Sequence, residues 1–193
     1  MKKPVLFGGL GAVALASFVA VALPAMRPAG MAAGAKAEEI GAKATLINAA
    51  GEAVGVATIT QEEDGVAIQV EGQNLPPGFH GFHVHATGRC DHAPPAFASA
   101  GGHYNPRGHS HADHAADLPV LLVNADGAAQ ARFKTDRFAL AELFDADGSA
   151  FIIHADPDNY ANIPARYGTP DAATLATGDA GPRIACGVIQ PEQ

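Results

Sequence analysis

GFHGFHVHA, residues 78–86 of this 193-residue chain, holds three histidines within six residues. His83 and His85 are separated by Val84, and residues two apart on a β-strand point to the same side. The spacing therefore predicts a strand that projects two imidazoles from one face while Val84 enters the core from the other. Two imidazoles on one face can bind a metal ion, although a solvated polar strand face is the plainer interpretation of H-x-H alone.

Alternation of apolar and polar residues on both sides of this stretch predicts an all-β domain. Turn signals such as EEDG, ADG and DADG separate the alternating stretches, and 22 glycines and 14 prolines without tryptophan favour short strands over long helices. Eight strands are predicted, at 44–48, 54–61, 65–73, 78–86, 118–127, 128–140, 149–155 and 183–190. Two aperiodic stretches, 87–116 and 156–181, are predicted to be long functional loops, which together with the strands indicate a β-sandwich or a Greek-key barrel.

The N-terminus is typical of a targeting segment. Lys2 and Lys3 precede an apolar run at 5–23, and an alanine-rich stretch follows it. We expect residues 1–37 to be a signal peptide and residues 38–193 to be the functional domain. Because about 19 apolar residues can just span a bilayer, an uncleaved N-terminal membrane anchor is the alternative. Either way the domain is expected to be periplasmic or otherwise exported, with membrane contact only if the segment is not cleaved.

The charge of the chain argues against one class of partner. The formal net charge is −8, and loss of residues 1–37 would change it to −12. Because nucleic-acid affinity depends on neutralising phosphates with Lys and Arg, no nucleic-acid partner is expected.

The chain has two cysteines, Cys90 and Cys186, and both lie in the predicted exported part. In an oxidising compartment such a pair is expected to form a disulfide, whereas two free buried thiols would be the expectation in a cytosolic protein.

The histidines are concentrated in the middle of the chain. All nine lie between residues 80 and 154, with His103 in the loop motif AGGHYNP and His154 at the end of the apolar stretch FIIH. Imidazole is a good ligand for copper and zinc, and an added carboxylate favours zinc. Clustering at strand ends and in one loop therefore indicates a metal-binding protein.

A second group of candidate ligands lies in one short tract. His111, His114 and Asp117 are three residues apart, which is the spacing of one face of a helical turn. The plain alternative for GHSHADH, residues 108–114, is a flexible metal-scavenging tract, and this alternative stays open for His109.

Several ordered motifs together resemble the copper,zinc superoxide dismutases, particularly the exported bacterial type. They are GFHGFHVH, AGGHYNP, IIHADPDNY and TGDAGPRIACGVI, and the resemblance extends over roughly residues 44–190. It implies an eight-stranded Greek-key β-barrel. It also implies an antioxidant oxidoreductase that converts superoxide to oxygen and hydrogen peroxide, with a redox-cycling copper ion and a neighbouring structural zinc ion.

The resemblance also implies a role for each site residue. The implied copper ligands are His83, His85, His103 and His154, and the implied zinc ligands are His103, His111, His114 and Asp117. His103 would bridge the two metals and supply a proton, so that it counts as catalytic together with Arg183, which would sit beside the open copper position and attract superoxide. The carboxylate of Asp158 would not bind a metal but would contact both His83 and His111 and so join the two sites. Cys90 and Cys186 would form the family disulfide.

Some alternatives remain open at this stage. The spacing between His111 and His114 is shorter than in the family, so that His109 could replace His111, or the enzyme could bind copper alone. The main functional alternative is a non-catalytic protein of the same fold that stores or buffers copper or zinc. A structural adhesion module would bind no stoichiometric metal. The sequence leaves monomer and homodimer open.

Overall fold

The computed structural model describes residues 41–192, and the predicted signal segment lies outside the described residues. Antiparallel strands and loops make up the described part, so the all-β prediction is confirmed. The strands are β1 (Gly41–Asn48), β2 (Ala53–Glu62), β3 (Gly65–Gly72), β4 (Gly78–His80), β5 (Phe82–His85), β6 (Leu121–Val123), β7 (Ala129–Thr135), β8 (Ala150–His154), β9 (Arg183–Val188) and β10 (Gln190–Pro191). Within residues 41–192, helical structure is confined to 3-10 turns at Ala98–Ala100, Leu140–Leu143 and Ala165–Tyr167, and to a single α-helical turn, α1 (Thr174–Thr177).

The strands form one sheet that curls into a nearly closed barrel. Their order is β4-β6-β7-β3-β2-β1-β9-β8-β5, with β10 paired to β1. Neighbours β3 and β7, β1 and β9, and β5 and β8 are distant in the chain, which is the crossover pattern of a Greek key. Strands β4 and β5 lie at opposite ends of this order, although only Gly81 separates them in the chain. The two ends of the sheet therefore meet at Gly81.

Ten strands correspond to the eight predicted from sequence, because two predicted strands are interrupted. The stretch 78–86 is divided at Gly81, and the last strand is divided at Ile189. At Gly81 the chain leaves β6 and joins β8: its N–H donates to Asp156 O at 2.8 Å, and its carbonyl accepts from His154 N at 2.8 Å. A pattern of alternating residues cannot reveal this change of partner, because the alternation continues through it.

The barrel interior explains the alternation on which the strand predictions depend. In β1 and β3 every second residue is buried, and Phe82 stacks on Phe151 with ring centroids 5.0 Å apart. Val84 is fully buried, as its predicted position on the core side of β5 requires. Burying each large aliphatic or aromatic side chain contributes roughly 1.5–3 kcal/mol to the stability of the fold. The barrel interior therefore stabilises the strands that carry the histidines.

The two predicted loops are present, and a disulfide fastens the first of them. Cys90 and Cys186 are bonded, with Cα atoms 5.7 Å apart, which confirms the predicted pairing. Cys186 lies in β9 opposite Ile152 of β8, and Phe97 of the loop packs in the same small apolar cluster. The loop is therefore attached to the barrel wall rather than free. Within residues 41–192, the structure contains no helix of the length and apolar character that a bilayer crossing requires.

Replacing Gly81 by alanine is expected to destabilise the barrel by about 1–3 kcal/mol, the usual cost of overpacking a well-packed site. A Cβ atom at this position would lie 2.7 Å from the Cβ of Ala180 and 3.1 Å from the ring of His83. The free energy of unfolding, measured by urea titration of the metal-free protein, tests this. Gly102→Ala is the matched control, because a Cβ there meets nothing within 4 Å, and equal stability of the two variants would contradict the prediction.

Candidate metal centre

Strand β5 presents both of its histidines to the interior of the protein. His83 is 0% exposed and His85 is 1% exposed, so the interpretation of a solvated polar strand face is wrong. One side of β5 faces the barrel core through Val84, and the other side is covered by the two long loops. The first loop approaches closely enough for His85 to form a bridge with His103, and His83 with Asp117. The barrel thus fixes the pair, and the loops bring further polar groups to it.

The first donor set consists of four imidazoles. One ring nitrogen from each converges so that the four atoms all lie within 4.8 Å of one another, and they belong to His83, His85, His103 and His154. Strands β5 and β8 supply three of these side chains, and the first loop supplies His103. The residues that the sequence assigns to copper are therefore brought together in space.

Each ring has an inner nitrogen, which faces the shared centre, and an outer nitrogen, which points away from it. In three of these rings the outer nitrogen lies within hydrogen-bonding distance of an oxygen acceptor. The Nδ1 atoms of His85 and His154 lie 2.9 Å from the carbonyl oxygens of Gly101 and Gly181, respectively. The Nε2 atom of His83 lies 2.7 Å from a carboxylate oxygen of Asp158. An oxygen acceptor requires an N–H on the outer nitrogen, which leaves the lone pair of the inner nitrogen directed at the centre.

The inner nitrogens supply a direct test of whether a metal fits. Among the described residues, His83 Nδ1 and His103 Nε2 are buried side-chain atoms with no hydrogen-bond partner. Buried polar atoms are normally paired, so two unpaired nitrogens facing one point require another occupant. Four nitrogen donors are the coordination that suits copper. The residues present therefore fit a copper ion.

The second donor set lies on the other side of His103. Asp117 Oδ1 lies 3.0 Å from the Nδ1 atoms of both His103 and His111, and 3.3 Å from His114 Nδ1. The Nδ1 atoms of His103 and His114 are 3.2 Å apart. A tetrahedral ion with ligand bonds of about 2.0–2.1 Å has edges of about 3.3 Å, so these separations fit zinc. The Nδ1 of His111 is a buried atom with no hydrogen-bond partner among the described residues, although Asp117 Oδ1 lies 3.0 Å from it.

His103 is common to both sets, with Nε2 in the first and Nδ1 in the second. Its side chain is only 3% exposed. A single imidazole that faces two donor sets with its two nitrogens is the geometry required of a bridging ligand. The sequence places His103 in a long aperiodic loop, and the structure holds it between β5 and the 111–117 segment.

The carboxylate of Asp158 connects the two sets from outside. One of its oxygens lies 2.7 Å from His83 Nε2, and the other lies 2.8 Å from His111 Nε2. Tyr160 donates its backbone N–H to the same carboxylate at 2.7 Å. Both histidines are thereby oriented by one residue of the second loop, which is the position that the sequence resemblance implies for Asp158.

Burial sets the protonation of three histidines of the first set. It lowers the pKa of His83 to about 4 and that of His154 to about 3, and it lowers the pKa of His85 well below the ordinary value. These imidazoles are therefore neutral near pH 7. Neutral imidazole is the form that binds a metal ion.

The carboxylates have the opposite effect on His111 of the second set. Burial acts to lower the pKa of His111, but contacts with Asp117 and Asp158 outweigh it and raise the pKa to about 9. Burial also acts to raise the pKa of both acids, and hydrogen bonds from the histidines overcome this and hold each pKa well below its usual value. The second set therefore contains fixed negative charge that the first set lacks.

Arg183 begins β9 beside the first set. Its guanidinium donates to the carbonyl oxygens of Phe97 and Gly101, so the first loop fixes its position. The Gly101 carbonyl also holds His85, which couples the arginine to a candidate copper ligand. A cleft opens here, and its walls are formed by Pro95, Ala96, Ala98, Gly101, Gly102, Gly181, Pro182 and Arg183.

Three histidines lie outside both sets. His109 is exposed and lies beside Asp113, and His92 is exposed next to Phe97. His80 is buried, and its two ring nitrogens lie 2.7 and 2.8 Å from the carbonyl oxygens of His154 and Pro76. The geometry therefore groups His111, rather than His109, with the second set. It does so without the helical turn suggested by the spacing, because residues 111–117 contain only turns, bends and a single bridge.

Sequence reasoning missed several groups that hold the ligands. The carbonyls of Gly101 and Gly181 have no sequence signal, because any residue has a carbonyl. Tyr160 is recognisable only as part of a motif. Its ring is parallel to that of His111, and its hydroxyl lies within hydrogen-bonding distance of Val120 N and Leu118 O.

The comparisons with known proteins all point to the same family. Residues 53–189 match the sequence model described as "Copper/zinc superoxide dismutase (SODC)". A curated relative from Mycobacterium tuberculosis, named "Superoxide dismutase [Cu-Zn]", is 45% identical over 150 residues, which cover 70% of this chain and 60% of that protein. "Superoxide dismutase [Cu-Zn] 1" of Aquifex aeolicus is 36% identical over 166 residues, covering 80% of this chain and 90% of the relative. The chain thus spans about 60% of the length of the mycobacterial relative.

Solved structures agree with these sequence matches. The Cu/Zn superoxide dismutase from Brucella abortus is 31% identical with a TM-score of 0.61, and the match covers 78% of this chain and 99% of that one. A SOD-like protein from Bacillus subtilis is 32% identical with a TM-score of 0.63, and the match covers 77% and 97% of the two chains. The nearly closed Greek-key barrel is therefore shared with both.

Proposed function

Because this chain belongs to the copper/zinc superoxide dismutase family, we propose that it converts superoxide to oxygen and hydrogen peroxide. The observation that carries the proposal is the pair of donor sets that share His103. A protein that only bound one metal would need neither a second set nor a common ligand. The proposal covers the whole activity, including superoxide as the substrate.

We propose that copper is held by His83, His85, His103 and His154, and zinc by His103, His111, His114 and Asp117. Bound copper would supply one-electron exchange with superoxide in both directions, and zinc has no redox chemistry of its own. The chain's own contribution is to keep His83, His85 and His154 neutral, to orient them through oxygen acceptors, and to exclude water from the buried nitrogens.

His103 is also the group that can hold a proton at the centre. Its Nδ1 is engaged with His114 and Asp117, while its Nε2 is buried and has no protein partner among the described residues. Formation of hydrogen peroxide consumes protons. His103 Nε2 would be the atom of this chain best placed to hold one next to the reacting oxygen, whenever that nitrogen is not bound to copper.

Arg183 is proposed to attract the substrate. Superoxide is an anion, and a formal net charge of −8 repels it over the protein as a whole. Attraction must therefore be local, and Arg183 lies at the cleft beside His85 and His154. A fixed charge in a cleft with low-dielectric walls can raise association rates by about 10–10³-fold.

Replacing Arg183 by alanine is expected to lower the superoxide rate constant by about 10-fold or more while copper stays bound. The rate should also lose most of its dependence on ionic strength, because the steering charge is gone. Stopped-flow decay of superoxide at several salt concentrations measures both quantities. Arg183→Lys is the control, because it keeps the positive charge without the guanidinium fork. A rate for Arg183→Ala equal to that of wild type at low salt would contradict the steering role.

The alternative function is storage or buffering of copper and zinc by a non-catalytic protein of this fold. Such a protein has no need for a guanidinium held over a cleft at the first set. The deciding experiment is the superoxide decay rate of the full chain with one copper per molecule, with and without added zinc. Fast catalytic decay supports the enzyme, and a folded, copper-loaded protein without catalysis would support storage.

Export is part of the proposal. Its support is the basic and apolar N-terminal sequence together with the Cys90–Cys186 disulfide, which favours an oxidising compartment. We propose that residues 1–37 act as the targeting segment and residues 38–193 as the enzyme domain. Membrane contact would then depend on whether that segment is cleaved. Sedimentation of the exported protein would distinguish a monomer from a homodimer.

A further inference from the structure

The segment 111–117 supplies three of the four proposed zinc ligands without regular secondary structure. Its backbone forms turns, with Asp113 N donating to Ser110 O and His114 N donating to the side chain of Asp117. Turns of this kind do not pair their own carbonyl groups systematically, as a helix would. Some other group must fix the path that brings the ligand atoms together.

Arg137 is the group that meets these carbonyls. It follows β7 at the barrel wall, and one guanidinium nitrogen lies 3.1 Å from Ala112 O, 2.9 Å from His114 O and 3.5 Å from Asp117 O. The first two distances are good hydrogen bonds, and the third is at the limit of the range. Among residues 41–192, no protein group other than Arg137 donates a hydrogen bond to Ala112 O. The side chain therefore reaches the beginning, middle and end of the segment.

No carboxylate accounts for the position of this arginine. Within the described part of the chain, Arg137 forms no ion pair. Its side chain is partly buried, and its backbone N–H donates to Thr135 Oγ1 at 3.2 Å. A guanidinium with several donors in a rigid plane suits converging carbonyl groups better than a lysine ammonium does.

We propose that Arg137 is a positioning residue for the zinc ligands, and that it sets how firmly zinc is retained without touching the metal. The inference rests on the proposed zinc set. It adds a residue outside the motifs, located just after β7, that determines the shape of the short segment. Loss of the guanidinium would leave the carbonyl of Ala112 without a protein donor and that of His114 with only the Asp117 N–H, and would let the ligand atoms of His111 and His114 move apart.

Charge and position make opposite predictions for this residue. A cation near a metal site repels the metal, so removing it would strengthen zinc binding if its charge dominated. If the hydrogen bonds dominate, removing it weakens zinc binding. Supporting groups of metal ligands commonly change metal affinity by about 10–100-fold, so the sign of the effect is measurable.

The experiment measures zinc release from the full chain into an excess of a chromophoric chelator. Arg137→Ala is expected to release zinc about 10–100-fold faster than wild type, and Arg137→Lys to fall between the two. Arg132→Ala is the matched control, because Arg132 is an exposed arginine of β7, and it should equal wild type. The visible spectrum of copper bound at the first set should be unchanged in all variants, which a general loss of stability would not allow.

The outcomes separate this inference from the function on which it rests. A wild-type chain that takes up no zinc would overturn the proposed zinc set, and this inference with it. Normal zinc uptake by wild type, with release from Arg137→Ala unchanged or slower, would overturn the inference alone. If Arg137→Ala does not fold, Arg137→Lys decides, since an unchanged release rate in that variant means that the guanidinium geometry does not matter.

Discussion

Replacing His85 by alanine is expected to abolish superoxide dismutation and most copper binding. His85 supplies one of the four inner nitrogens, and its Nε2 lies 3.4 Å from that of His154. The remaining rings cannot close the gap, because each is held by an outer acceptor. The Gly101 carbonyl would also lose its contact with His85, which disturbs the anchor of Arg183. Activity should therefore fall to the level of the copper-free protein, measured as superoxide decay at matched protein and added copper.

The control for this experiment is His109→Ala. His109 is exposed and lies outside both donor sets, so its removal should leave copper binding, zinc binding and activity unchanged. Full activity in His85→Ala would remove that residue from the proposed copper ligands. Zinc loss in His109→Ala would instead restore the alternative in which His109 replaces His111.

Local geometry is the part of the site that sequence can predict. Residues two apart on a strand must share a face, so the pairing of His83 and His85 follows from the strand assignment alone. The conclusion that these side chains are buried does not follow, because it depends on loops that cover the outer face of β5. The fold class was predictable for the same reason as the pair, since alternation with period two is a property of each strand by itself.

Long-range closure is the part that sequence reasoning could not reach. Nothing in the alternation of residues 78–86 shows that Gly81 ends the pairing with β6 and begins the pairing with β8. The path of residues 111–117 depends on Arg137, which is 20 residues or more distant in the chain. The chemical identity of a carbonyl acceptor such as Gly101 O is the same at every residue, so only the fold can select it.

Removing the disulfide is expected to cost the metal-free protein about 2–4 kcal/mol of unfolding free energy. The two cysteines are 96 residues apart, and the chain-entropy argument gives about 4.7 kcal/mol for a loop of about 100 residues. The suitable variant combines Cys90→Ser with Cys186→Ala, because Cys186 is fully buried and alanine places no polar group there. Guanidinium denaturation of the metal-free chain measures the difference.

The disulfide should also influence catalysis through the first loop. Cys90 holds the part of that loop in which Phe97 packs, and the carbonyls of Phe97 and Gly101 fix Arg183. The doubly substituted enzyme, once loaded with metals, is therefore expected to react more slowly and to depend less on ionic strength than wild type. A reductant added to wild type should reproduce both effects and leave the variant unchanged. A stability loss below about 1 kcal/mol would mean that the apolar packing around Phe97, rather than the covalent bond, attaches the loop to the barrel.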